Sequence, residues 1–246
     1  AIVAKADPDG HTILVQSSSH TVNPITYSNL PYDTVRDLSA ITPLAALPNV
    51  LIVNPGKGIR SVQDLVAAAK ARPGAMNYAS AGQGSATHLN AERFRLAGGF
   101  EGVHIPFKGT PEAVTEVIAG RVDFYFCPVV SAIPHIKEGK VLALAVGSPK
   151  RSSALPDIPT TLEAGLPNSD YTFWVGMFVP SKTPRDIVSR LYQETAKALA
   201  SPELRERLAK LGAEPMPMTP EAFDKYVLDE IRANTTLVKA AGVTGN

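Results

Sequence analysis

Met76-Asn77-Tyr78-Ala79-Ser80-Ala81-Gly82-Gln83-Gly84-Ser85-Ala86-Thr87-His88-Leu89 combines a short strand, a loop of small residues and the start of a helix. The helix begins around Ala86 and stops at Gly98-Gly99. Strand, glycine loop and helix in that order open a βαβ unit, and with it an α/β fold. The loop leaves backbone N–H groups and hydroxyls unobstructed where the first helical turn has no internal partners. Ser80, Ala81, Gly82, Gly84, Ser85, Ala86 and Thr87 therefore form a candidate anion cradle at the positive end of a helix dipole. Tight packing of the helix on its strand is the other use such small residues serve. Nucleotide chemistry fits poorly. A dinucleotide fold wants Gly or Ala where Thr87 stands, and the next strand, 103–107, runs into Lys108 rather than an acidic residue for a ribose. Gly56-Lys57 and Gly139-Lys140 are isolated pairs, not part of a phosphate-binding loop.

Outward from this stretch the alternation continues. Ser61 and Asp64 have the spacing of a capping box, and Val62, Leu65, Val66 and Ala69 repeat at helical intervals up to Arg72-Pro73-Gly74. Thr110-Pro111-Glu112 opens another helix with a capping residue and Pro at its first position. Strands are expected at 103–107, 122–126 and 141–146, in a mostly parallel sheet. Right-handed crossovers then place the glycine loop and the Lys108-Gly109-Thr110 turn together at the carboxyl edge of the sheet, where α/β folds bind ligands. Residues 11–16 form a first strand leading into the polar loop Ser17-Ser18-Ser19-His20, and two apolar runs in 41–53 are broken by Pro48-Asn49. Residues 171–179 form the longest apolar-aromatic strand, followed by helices introduced by Thr183-Pro184, Ser201-Pro202 and Thr219-Pro220.

Composition narrows the function. The 246 residues can form one large α/β unit or two lobes. Lys and Arg total 24 against 23 acidic residues, which argues against a nucleic-acid surface. Apolar runs such as 141–146 are far too short to span a bilayer. Cys127 is the single cysteine, so there is no intramolecular disulfide and no Cys-rich metal site. No catalytic motif is present, and neither a cofactor nor a metal is expected. His88 either lines a pocket or faces solvent at a helix start. His104 reads as a core-edge strand histidine and Cys127 as a buried thiol, with Cys127–His88 acyl transfer as the minor alternative. Trp174 reads as core, or as the wall of a cleft.

Eight stretches, the glycine loop among them, carry a resemblance. They are Ala6-Asp7-Pro8-Asp9-Gly10-His11-Thr12-Ile13-Leu14, Asn29-Leu30-Pro31-Tyr32-Asp33-Thr34-Val35-Arg36-Asp37 and Pro48-Asn49-Val50-Leu51-Ile52-Val53-Asn54-Pro55. Then come Asn77 to Ser85, Ile105-Pro106-Phe107-Lys108-Gly109-Thr110 and Pro134-His135-Ile136-Lys137-Glu138-Gly139-Lys140. Leu155-Pro156-Asp157-Ile158-Pro159-Thr160 and Glu163-Ala164-Gly165-Leu166-Pro167 complete the set. The chain resembles, over essentially its whole length, the Bug family of periplasmic solute-binding proteins of tripartite tricarboxylate transporters.

The resemblance implies a two-lobed, type II periplasmic-binding-protein-like α/β fold (a Venus flytrap), with mixed β-sheets flanked by helices. Residues 1–49 and 173–246 would form the first lobe and 50–172 the second, with crossings near Val50 and Phe173. It implies a monomeric, periplasmic, non-enzymatic receptor that captures a small organic carboxylate and delivers it to membrane permease subunits. The Ser80 to Thr87 loop would bind the carboxylate, with Lys108, Gly109 and Thr110 beside it and Ser18, Ser19 and His20 from the other lobe. Cys127 stands where the family often has a polar or acidic residue, which implies a less polar wall suited to an aromatic or aliphatic acid; Trp174 is the other candidate wall. The family also has a strand, a glycine loop, a helix and a second strand ahead of the segment matching Ala1, on the order of 50 residues. The chain is thus expected to start inside the first lobe. Two other functions stay open on the sequence: a small-molecule hydrolase or transferase, and a ligand sensor that docks a regulatory partner.

Overall fold

Polar caps and glycine or proline stops set most helix ends in the computed structural model, which describes residues 1–242. The first segment carries β1 (Leu14–Ser17), α1 (Ser19–Thr26) and β2 (Leu38–Ala46). Next come β3 (Asn49–Val53), α2 (Val62–Ala71), β4 (Asn77–Ser80), α3 (Ala86–Gly98), β5 (Val103–Pro106) and α4 (Thr110–Ile118). They are followed by β6 (Phe124–Pro128), α5 (Val129–Lys137) and β7 (Leu142–Val146). The last third holds β8 (Trp174–Pro180), α6 (Arg185–Ala200), α7 (Pro202–Lys210), β9 (Glu214–Pro215) and α8 (Pro220–Ala240). Two compact units result: Ala1–Ala46 with the chain from Phe173 onward, and Leu47–Thr172.

The caps act as local chemistry requires. Ser61 Oγ accepts the Asp64 N–H at 3.0 Å, while Asp64 Oδ2 accepts the Arg60 N–H at 3.0 Å. Ser61→Ala is expected to cost about 1 kcal/mol, read as a lowered midpoint of thermal unfolding. Ser201 and Thr219 cap α7 and α8 in the same way. Two expected caps differ. Pro184 itself is the N-cap of α6, without a side-chain bond, and Gly109 caps α4, because the Thr110 hydroxyl turns instead to Tyr125. The polar segment after β1, expected as a loop, is helical from Ser19. There Thr21 donates to the Ser18 carbonyl and accepts from Asn234 of α8, so tertiary packing makes a helix that local propensity does not announce.

In the first unit the sheet order is β1-β8-β2-β9, with every pair antiparallel. The sheet of the second unit has the order β5-β4-β6-β3-β7. Here β4, β5 and β6 are parallel as expected, whereas β3 runs antiparallel to both β6 and β7. The sheet is mixed, because β3 inserts between two later strands, a choice its own apolar run does not encode. Leu51, Val53, Phe124 and Phe126 bury one face against α2 and α3 through Leu65 and Phe94. Val50, Ile52, Tyr125 and Cys127 bury the other against α4 and α5 through Val114 and Ala132.

Candidate anion-binding site

The loop grows out of the β4–β5 ladder. Ser80 pairs with Pro106, and the Phe107 N–H donates to the Ser80 carbonyl at 3.0 Å. Gly82 (φ 130°) and Gly84 (φ 74°) take backbone conformations that side chains oppose, which is why glycine stands at both. Thr87 Oγ1 accepts the Ala81 N–H at 2.9 Å and lies 3.0 Å from Ser85 Oγ. Ser85 is the N-cap of α3, its Oγ accepting the His88 N–H at 3.3 Å. Among the described residues no acceptor is set against the N–H groups of Ala86 and Thr87, the first two helical positions. They are the orphan donors of the first helical turn.

The Lys108-Gly109-Thr110 turn does lie beside this loop. A Cβ on Gly82 would sit 3.7 Å from the Phe107 carbonyl oxygen. Thr110 Oγ1 lies 3.1 Å from the Tyr125 hydroxyl. Burial pushes the Tyr125 phenol up to about 12, so it stays a neutral partner. The Lys108 N–H is occupied by Glu112 at 3.1 Å.

Below the loop lies a cluster that sequence reading did not assemble. His88 is 1% exposed and accepts the Gly84 N–H on Nδ1 at 3.1 Å. Its ring stacks on His104 with centroids 3.6 Å apart and planes 9° from parallel. His104 Nε2 is 2.6 Å from Ser80 Oγ. Tyr78 stacks on His104 at 5.3 Å and donates its hydroxyl to Glu92, which Arg95 grips with two hydrogen bonds of 3.1 and 2.8 Å. Burial lowers both imidazole pKa values, that of His88 to about 4. The signal available in the sequence was position: His88 falls at the third helical residue after a glycine loop, and Tyr78 and His104 sit in register on parallel strands.

Other candidates are placed elsewhere. Cys127 is fully buried in the apolar cluster under α4 and α5, where burial pushes its thiol up to about 12. Tyr78, which packs against His88 and His104, belongs to the cluster on the opposite face of the sheet. In the first unit, Ser17 and Ser19 hydroxyls lie 2.8 Å apart, and the Ser18 N–H donates to the Trp174 carbonyl at 2.8 Å. The His20 ring is buried 4.2 Å from Phe178, and its nitrogens have no hydrogen-bond partner among the described residues. Trp174 is fully buried against Phe223, its indole N–H donating to Glu230 at 2.9 Å. Among the described residues, no group of three or more His, Cys, Asp or Glu could hold a metal, and no helix is long and apolar enough to cross a membrane.

A family model described as "Tripartite tricarboxylate transporter family receptor" matches residues 1–243, and the chain belongs to that family. It is 39% identical over 223 residues to a UPF0065 protein of Pseudomonas sp. (strain P51), encoded in a tcbD-tcbE intergenic region. That match covers 90% of this chain but 66% of the relative's length. An R. palustris structure solved with adipate superposes with a TM-score of 0.79 at 30% identity, covering 98% of this chain and 81% of that one. The periplasmic binding protein BugD superposes with a TM-score of 0.75 at 32% identity, covering 99% and 82%. The fold is that of the periplasmic binding proteins, α/β with mixed sheets flanked by helices.

Proposed function

We propose that this protein is a periplasmic receptor that captures a small organic carboxylate and delivers it to the membrane subunits of a tripartite tricarboxylate-type transporter. The observation that carries the reading is the pair of N–H groups on Ala86 and Thr87 without an acceptor among the described residues, at the start of a 13-residue helix and beside the Thr87 and Thr110 hydroxyls. A carboxylate has two oxygens and needs no buried cation when N–H groups at a helix terminus face it. Neutral donors also let the ligand leave, as delivery requires. Family membership and the relative solved with adipate support the same ligand class. Ser80 to Thr87 and Lys108 to Thr110 form the proposed contact surface, and the family pattern adds Ser18 and Ser19.

Titration calorimetry with adipate, shorter dicarboxylates and monocarboxylates tests this. Saturable binding of at least one acid, with the ligand recovered unchanged, is expected, and turnover of the ligand would mark an enzyme. Ser85→Phe and Thr87→Phe are each expected to weaken binding by about 100-fold or more, since a ring there covers the free N–H groups. Unchanged affinity in folded variants would remove the cradle from the site.

A further inference from the structure

We infer that His88 is the positioning residue of the carboxylate cradle: its neutral ring, backed by His104, pins the Gly84 amide and so holds the loop ready for a ligand, and a proton on that ring releases it. The ligand half of this inference rests on the receptor reading above; the pinning of the loop does not.

The hydrogen bonding fixes the tautomer. A backbone N–H can only donate, so the bond from Gly84 to Nδ1 at 3.1 Å requires a lone pair there. The ring hydrogen therefore sits on Nε2, a buried atom with no partner among the described residues. A proton on Nδ1 would set two donors against each other across the same gap. Relief by tilting the ring is blocked, since His104 covers its face at 3.6 Å. The second ring extends the control. Ser80 Oγ, held by His104 Nε2 at 2.6 Å, accepts the Gly82 N–H at 3.1 Å and contacts the Gly82 carbonyl at 3.0 Å. The stacked pair thus holds both glycines of the loop.

Among the described residues, nothing around His88 offers an imidazolium a free counter-charge. Its own helix supplies Glu92 and Arg95, which neutralise each other; β4 supplies Tyr78, whose hydroxyl is spent on Glu92; β5 supplies only His104. Burial first, then His104, accounts for a pKa of about 4 against the ordinary 6.5. The sign follows. A ring whose pKa is lower in the pinned loop supports pinning fully above pH 6.5 and loses that support as pH falls toward about 4.

Two measurements on the full chain test this. In the ligand-free protein, the Gly84 amide resonance should titrate together with the His88 ring. In His88→Asn, whose side-chain oxygen takes the place of Nδ1 without binding a proton in this range, that amide should stay flat. A Gly84 amide that is flat in the wild type, or titrates equally in His88→Asn, overturns the inference. Adipate affinity then reads the coupling. From about pH 7.5 to about pH 5, the ratio of wild-type to His88→Asn Kd should rise about tenfold, the ionisation of adipate cancelling in the ratio. His88→Phe should bind about tenfold or more weakly at both values, with His88→Asn recovering most of that loss. A constant ratio, or wild-type binding by His88→Phe, overturns the positioning role. If no protein binds a carboxylate even near neutrality, the receptor reading fails, while the Gly84 titration still decides the pinning.

Discussion

Arg95→Ala is expected to destabilise the protein by about 3 kcal/mol near neutral pH, one of the two largest single-residue effects argued for this chain. The Glu92 side chain is 3% exposed, and Arg95 holds it in a fork, Nε to Oε1 at 3.1 Å and Nη2 to Oε2 at 2.8 Å. Arg95 also donates to the Phe100 carbonyl at 3.2 Å. Without it the carboxylate keeps only the Tyr78 hydroxyl, and a buried charge left nearly alone costs far more than the pair returned. The pH dependence checks the cause. Burial alone pushes the Glu92 pKa up, but Arg95 and Tyr78 hold it below 4.5, so the wild-type pair contributes stability that is present above pH 4.5 and lost as pH falls through the folded-state value. In Arg95→Ala the folded value rises instead. The deficit relative to wild type should then be largest near pH 7 and shrink toward about pH 4. Urea unfolding at both pH values measures it. The apolar double variant Glu92→Leu/Arg95→Leu should recover much of the loss. A deficit below about 1 kcal/mol at neutral pH, or one that does not change with pH, would falsify this account.

The cluster around Glu92 shows where sequence reading runs out. Glu92 and Arg95 stand three apart on a helix, a spacing that ordinarily means a solvated pair. What makes them different is that Glu92 is buried and meets the Tyr78 hydroxyl from a neighbouring strand, which no local pattern carries. The same holds for His88 and His104, 16 positions apart in sequence and stacked only because β4 and β5 pair in parallel register. The loop itself was legible. Glycines at positive φ, a serine cap and a helix stop at Gly99 act through their own backbone, so their chemistry is written where they stand. The direction of β3 was not, since an apolar run fits any slot of a sheet covered on both faces. Cys127 and Trp174 were read as core from their apolar neighbours, and packing puts both there.

Gly176 carries the other large effect, in the first unit. It sits in β8, opposite Gln16 on one side and Pro43 on the other, so the backbone there has ladder partners in both directions. A methyl group at this position would lie 2.5 Å from the tip of the Phe223 ring and 2.9 Å from the Trp174 indole. Neither ring is free to retreat: Phe223 is enclosed by Trp174 at 5.1 Å and Phe178 at 5.2 Å, and the indole is tied to Glu230. Overpacking of this kind costs about 3 kcal/mol, and Gly176→Ala is expected to show it. Trp174 is the only tryptophan, so its emission reports on the very contact that is strained, and a red shift should accompany the loss of stability. Phe223→Leu alone should also destabilise, through lost ring contacts. Combined with Gly176→Ala it removes the obstructing atoms, so the double variant should be more stable than the sum of the two single costs, by about 1 kcal/mol or more. Strict additivity would mean that the β8 backbone, and not the aromatic cluster, absorbs the added methyl.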